Sequence, residues 1–121
     1  ACTQCAEALR LRPDYPEARH NWAAALIDWA WELEGEARQA KLEEARTHCL
    51  EAERVQVGTG AYNLACIAAL LGEPDEAGHW LEVCVLHHCL PASEHILADR
   101  DLASVRTQPW FGQIFGMRAS A

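Results

Sequence analysis

Small, large and small apolar residues recur along this chain at intervals of four and three. The trio appears as Ala1, Cys5 and Ala8, again as Ala45, Cys49 and Ala52, and a third time as Ala77, Leu81 and Cys84. These intervals put each trio on one helix face, and its small members let a neighbouring helix come close. A second pattern sets a large apolar residue beside small ones, at Asn21-Trp22-Ala23-Ala24-Ala25-Leu26 and at Asn63-Leu64-Ala65-Cys66-Ile67-Ala68. The two patterns alternate, which predicts paired helices in which the trio marks the second helix of each pair.

Punctuation between these segments fits helix ends. Pro13, Asp14 and Pro16 interrupt helix between Arg12 and Glu17, with Asp14 expected as N-cap and Glu17 in capping-box position. Gly72 suits a left-handed helix end, and Pro74 opens the next helix with Asp75 and Glu76 at its positive end. Compared with the later pair, about ten extra residues lie between Leu26 and Ala45, so each helix of the earlier pair is expected to run roughly 7 Å longer. Gly35 falls near the tip of that pair. Trp29 and Trp31 lie in the extension and need cover from the lengthened second helix or from a partner. Trp22, Leu26, Trp29 and Leu33 form a stripe at helical spacing that reads as core.

Taken in order, Tyr62-Asn63-Leu64-Ala65, Gly72, Ala77, Leu81 and Cys84 resemble one whole tetratricopeptide repeat. Ala1, Cys5, Ala8 and Pro13 resemble the back half of an earlier one, closing proline included. The resemblance covers residues 1–86. Beyond it, Asp101-Leu102-x2-Val105-Arg106 and Pro109-Trp110-Phe111-x2-Ile114-Phe115 resemble the terminal cap common after such repeats in bacterial-type members. The implied fold is all-α, a right-handed stack of antiparallel helix hairpins with a C-terminal helical cap, forming a single domain over 1–121. Its expected parts are the second helix of a truncated repeat at 1–13, an elongated repeat at 14–54, a regular repeat at 58–88 and a cap at 91–117.

The resemblance also implies a function: a non-catalytic scaffold that binds a peptide or protein on the concave face lined by its first helices. Carried across residue by residue, that face holds His20, Ala24, Ile27 and Trp31 from the earlier pair, then Tyr62, Cys66 and Ala69 from the later one. The alternative is that these residues pack against the preceding and following helices. Family members that clamp acidic tails use lysine and asparagine at such places, where this chain has His20, Ala24, Tyr62 and Cys66. An apolar or aromatic ligand is therefore expected, with Tyr62 and Trp31 as anchors.

Composition narrows the remaining classes. Eighteen acidic residues against ten basic ones give a net charge of −8, without a basic run, so a nucleic-acid backbone would be repelled. The acidic residues at Glu32–Glu36, Glu43, Glu44, Glu51 and Glu53 accompany arginine and lysine at helical spacing and read as a solvated face. No apolar stretch approaches the roughly 20 residues of a membrane span. Most of the six cysteines fall among alanines and leucines at helical spacing, which favours reduced thiols in a core and a cytoplasmic setting.

Three clusters carry candidate chemistry. Cys84, His87, His88 and Cys89 have the residue types of a zinc or copper site, although Cys84 holds a packing position and Cys89 would point away if the helix continued. Histidines ending a helix are also favoured by its dipole. Cys2 and Cys5 spell C-x-x-C, but without the βαβ context of thiol redox motifs. A Cys84–His87 nucleophilic pair has no orienting third group and no oxyanion site. No cofactor or enzymatic activity is expected. A metal-binding helical module and an assembly or regulatory domain of a larger enzyme are the alternatives to a scaffold. The helix ending at Arg12 has no preceding helix in this sequence to cover Cys5, Ala8 and Leu9, so a homodimer through that helix is also expected.

Overall fold

The computed structural model describes residues 6–7, 10–11 and 15–120, with side chains as far as Ile114. It is all-helical, and no strand occurs among the described residues. The elements are α1 (Pro16–Ala30), α2 (Gly35–Val55), α3 (Ala61–Leu70), α4 (Pro74–Leu86), α5 (Ser93–Ala98), a 3₁₀ helix (Arg100–Val105) and α6 (Pro109–Ser120). Among the described residues no helix is long and apolar enough to cross a membrane. Ala6, Glu7, Arg10 and Leu11 are helical, and Glu7 pairs with Arg10. Ala1, Cys2, Cys5, Ala8, Leu9, Arg12 and Pro13, on which the truncated repeat, the C-x-x-C motif and the dimer rest, lie outside the described residues, as does Asp14; the N-cap expected there is Tyr15 instead.

α1 and α2 form an antiparallel pair. Trp22, early in α1, stacks on His48, late in α2, at 4.3 Å. At the other end, Arg38 near the start of α2 donates to the carbonyl of Ala30 at 3.1 Å. Pro16 takes the first helical position, where a missing N–H costs nothing, and Tyr15 is the N-cap. α1 and α2 run 15 and 21 residues, against 10 and 13 for α3 and α4. The second helix thus takes more of the extension than an even division would give it.

α3 and α4 pair through a Schellman turn. Glu73 N–H donates to Ala68 O at 2.8 Å and Gly72 N–H to Ala69 O at 3.2 Å, with Gly72 at φ 76°. Pro74 then starts α4. Arg46 of α2 forms an ion pair with Glu73 at this turn.

α3 is apolar on nearly every side and sits between two cores. On one side Leu64 and Ile67 join Ala23, Leu26, Ile27, Ala30, Leu42, Ala45 and Cys49 of the first pair. On the other, Ala65, Cys66, Ala68 and Ala69 pack with Leu81 of α4 and with Ile96, Leu102, Val105, Phe111 and Ile114 of the C-terminal segments. Trp110 lies against Gly78, where an added β-carbon would meet its indole at 3.0 Å, so the bare backbone of α4 makes room for α6.

The Trp22–Leu26–Trp29–Leu33 stripe is corrected in part. Leu26 is buried and Trp22 half-buried, but Trp29 is 46% exposed because the buried face of α1 centres on Ala23, Leu26, Ile27 and Ala30. Lys41 of α2 covers the Trp29 ring at 4.1 Å, so the lengthened second helix supplies the cover instead of a core.

Candidate functional site

The seven residues expected on one face are not equally open. Ile27 and Ala69 are buried, and Ala24 is half-buried. His20 is turned towards the second pair: its Nδ1 lies 3.1 Å from the Thr59 carbonyl and 3.2 Å from Asn63 Nδ2. A single ring nitrogen cannot donate to the first and accept from the second at once, so the tautomer selects which bond is made. Either way, His20 ties α1 to the start of α3.

Trp31, Tyr62 and Cys66 meet the loop after α5 and the 3₁₀ helix. Trp31 Nε1 donates to Asp101 Oδ1 at 2.5 Å, and Tyr62 donates its hydroxyl to Asp99 Oδ2 at 2.6 Å. The Cys66 thiol lies 3.9 Å from the same Asp99 oxygen. Ser104 donates to the Ala69 carbonyl at 3.1 Å. Here the packing role of Tyr62, Cys66 and Ala69 is realised, because the chain's own C-terminal segment lies on them.

Asp99 organises this junction. It is the N-cap of the 3₁₀ helix, accepting from Asp101 N–H at 3.0 Å, and its main-chain carbonyl accepts from Arg106 at 2.6 Å. His95 Nε2 approaches its carboxylate at 3.5 Å, and the His95 ring tilts against Tyr62 at 5.8 Å. Arg38 and Arg100 both lie over the Trp31 ring, at 5.3 and 4.5 Å. The outcome is two half-buried aromatic rings whose polar tips are fixed by carboxylates, with guanidinium groups over the Trp31 ring and an imidazole beside Tyr62.

Burial and the neighbouring carboxylates push the Cys66 thiol well up. The Tyr62 hydroxyl is also pushed up, by burial and then by its bond to Asp99. Burial raises Asp101 above the usual aspartate value; the Trp31 bond opposes this and the nearby Asp99 charge adds to it. The Cys66 thiol and the Tyr62 hydroxyl thus keep their protons, which is poor preparation for nucleophilic chemistry at either.

The chain matches no family model, no curated protein and no solved structure.

Among the described residues, Cys66, Asp99 and Asp101 are the only three candidate metal ligands whose donor atoms lie within 4.8 Å of one another. The donor set fits a cation poorly. Two of the carboxylate oxygens already accept from Tyr62 and Trp31, and the thiol is biased towards its protonated form. Cys84, His87, His88 and Cys89 do not converge as a set of three or four. Their helix stops at Leu86, and His87 and His88 are exposed. The sequence does not single out Asp99 and Asp101 as site residues, although an aspartate three positions before Leu102-x2-Val105 is a local capping signal that marks the first of them.

Proposed function

We propose that this chain is a non-catalytic protein-binding scaffold of tetratricopeptide type, a right-handed stack of helix hairpins closed by a helical cap. The observation that carries the reading is the junction of α1, α3 and the 3₁₀ helix. Trp31 and Tyr62 stand there half-open, with polar tips already satisfied inside the chain and with Arg100 and His95 at the rim, 61% and 60% exposed. Immobilised aromatic rings beside arginine are the chemistry that dominates protein interfaces, because little side-chain entropy remains to be lost on binding. The partner contacts the outer edge of this junction, since its inner side is filled by the cap. Repetition of the small–large–small trio on α2 and α4, with Ala45, Cys49, Ala52, Ala77, Leu81 and Cys84 all buried, supports the repeat assignment.

Affinity capture from a lysate of the source cells, read by mass spectrometry, tests this with wild type beside a His95→Ala, Arg100→Ala double variant. Both side chains are mainly solvent-facing, so the variant is expected to fold. A protein retained by wild type and lost by the folded variant supports the reading. Retention of the same proteins by both moves the interface away from this junction and overturns it.

A further inference from the structure

α4 ends in a second Schellman turn, and its left-handed position is held by His88 at φ 56° instead of a glycine. Cys89 N–H donates to Cys84 O at 2.9 Å, and His88 N–H donates to Val85 O at 3.2 Å. Such a turn folds the residue after the left-handed position back onto the last turn of the helix, where the two side chains at its ends meet. In the turn at Gly72 those positions are Ala68 and Glu73. Here both are cysteines. The 2.9 Å bond from Cys89 N–H to Cys84 O thus brings the two cysteines together at the end of α4. On the far side, a β-carbon placed on Gly58 would stand 3.6 Å from Cys89 Sγ, which puts the α2–α3 connection directly over this sulfur. Cys84 is fully buried and Cys89 partly open.

We propose that Cys84 and Cys89 are a reversible dithiol–disulfide pair that exchanges with small-molecule disulfides. Access sets the order of events. The Cys89 thiolate attacks one sulfur of the small disulfide, an S–S bond forms to Cys89, and the other half leaves as a thiolate that takes up a proton. Cys84 then loses its proton to solvent and attacks Cys89 Sγ, expelling the second half of the reagent as thiol. Two protein thiols and one small disulfide thus become one protein disulfide and two small thiols. Burial and then the Glu53 carboxylate disfavour the Cys89 thiolate, which slows the first step; burial also pushes the Cys84 thiol up, and its attack on Cys89 is favoured by being intramolecular. Closure locks His88 in its left-handed conformation and fixes the direction in which the chain leaves α4 for α5.

The test equilibrates the whole chain in mixtures of reduced and oxidised glutathione, natively and in urea, then acid-quenches it. After alkylation, cleavage follows Glu82 and Glu94. The expected native product is a fragment 83–94 lighter by two hydrogens and refractory to alkylation, with a closure constant at least about tenfold above that in urea, because the turn raises the effective concentration of one thiol at the other. Cys84→Ser is expected to accumulate a glutathione adduct on Cys89, whereas Cys89→Ser leaves fragment 83–94 without one. A native constant no higher than the unfolded one, or a glutathione adduct on wild-type Cys89 that persists without closing, overturns the proposal.

Discussion

The indole of Trp31 donates to the Asp101 carboxylate at 2.5 Å, joining the end of α1 to a helix seventy positions further along the chain. Neither residue is fully buried, yet the bond closes the first hairpin against the C-terminal helical segment, and Arg38 and Arg100 flank the ring that makes it. Trp31→Phe keeps the ring and removes the donor. The expected loss is about 1.5–3 kcal/mol by urea unfolding, the range for a hydrogen bond to a charged group. The Asp101 carboxyl should titrate at still higher pH, followed through its side-chain carbon resonance.

Asp101 itself sets a pH dependence. Its folded pKa is raised, chiefly by burial, so the folded state holds its proton more tightly than the unfolded chain does. The associated stability is fully present below the unfolded value of about 3.9 and is lost as pH rises through the folded value. At pH 7 the ionised carboxylate is therefore a net cost. Asp101→Asn, which still offers an oxygen to Trp31, is expected to raise the urea midpoint at neutral pH. The gap between variant and wild type should close on acidification through that window.

Gly60 stands where α3 starts against the backbone of α2. A β-carbon there would lie 2.5 Å from the Cys49 carbonyl oxygen, too close for any side chain, and main-chain atoms cannot swing aside. The Glu53 carboxylate fixes the same spot by accepting from Gly58 N–H at 2.9 Å and Gly60 N–H at 2.8 Å. Gly60→Ala must push the two hairpins apart and is expected to cost about 3 kcal/mol in chemical denaturation.

His88 shows the opposite balance. It is exposed and takes a left-handed conformation that costs an L-residue about 1 kcal/mol, while a glycine adopts it freely. His88→Gly should stabilise the chain by about that amount, less the extra entropy that glycine gives the unfolded state. Thermal unfolding under reducing conditions measures it.

Local features of this fold could be read from the residues, and distant ones could not. Gly72 and Pro74 carry their turn in their own backbone preferences, and the spacing of Ala45, Cys49 and Ala52 carries its helix face. The all-helical class follows from such signals. The exposure of Trp29 is not legible in its stripe, because intervals of four and three give a helix face without saying where the buried arc is centred; Leu42 and Ala45, against which that arc packs, lie on another helix. The reversal at His88 is hidden for a related reason: helical spacing puts Cys89 away from Cys84 only while the helix lasts. At the candidate site, helical periodicity grouped His20 with Trp31 and Tyr62 with Cys66. It had no means of pairing Trp31 with Asp101 or Tyr62 with Asp99, since those partners are set by how the C-terminal segment folds back.

The separation of Trp31 from Asp101 also bears on how the protein is made. At ribosomal rates of roughly 5–20 residues per second, about 4–14 s pass between polymerisation of the indole and of its acceptor. During that interval the nascent first hairpin carries an unsatisfied aromatic edge at the end of α1, a surface on which a chaperone or an early-binding partner would find the chain before its own C-terminal segment does.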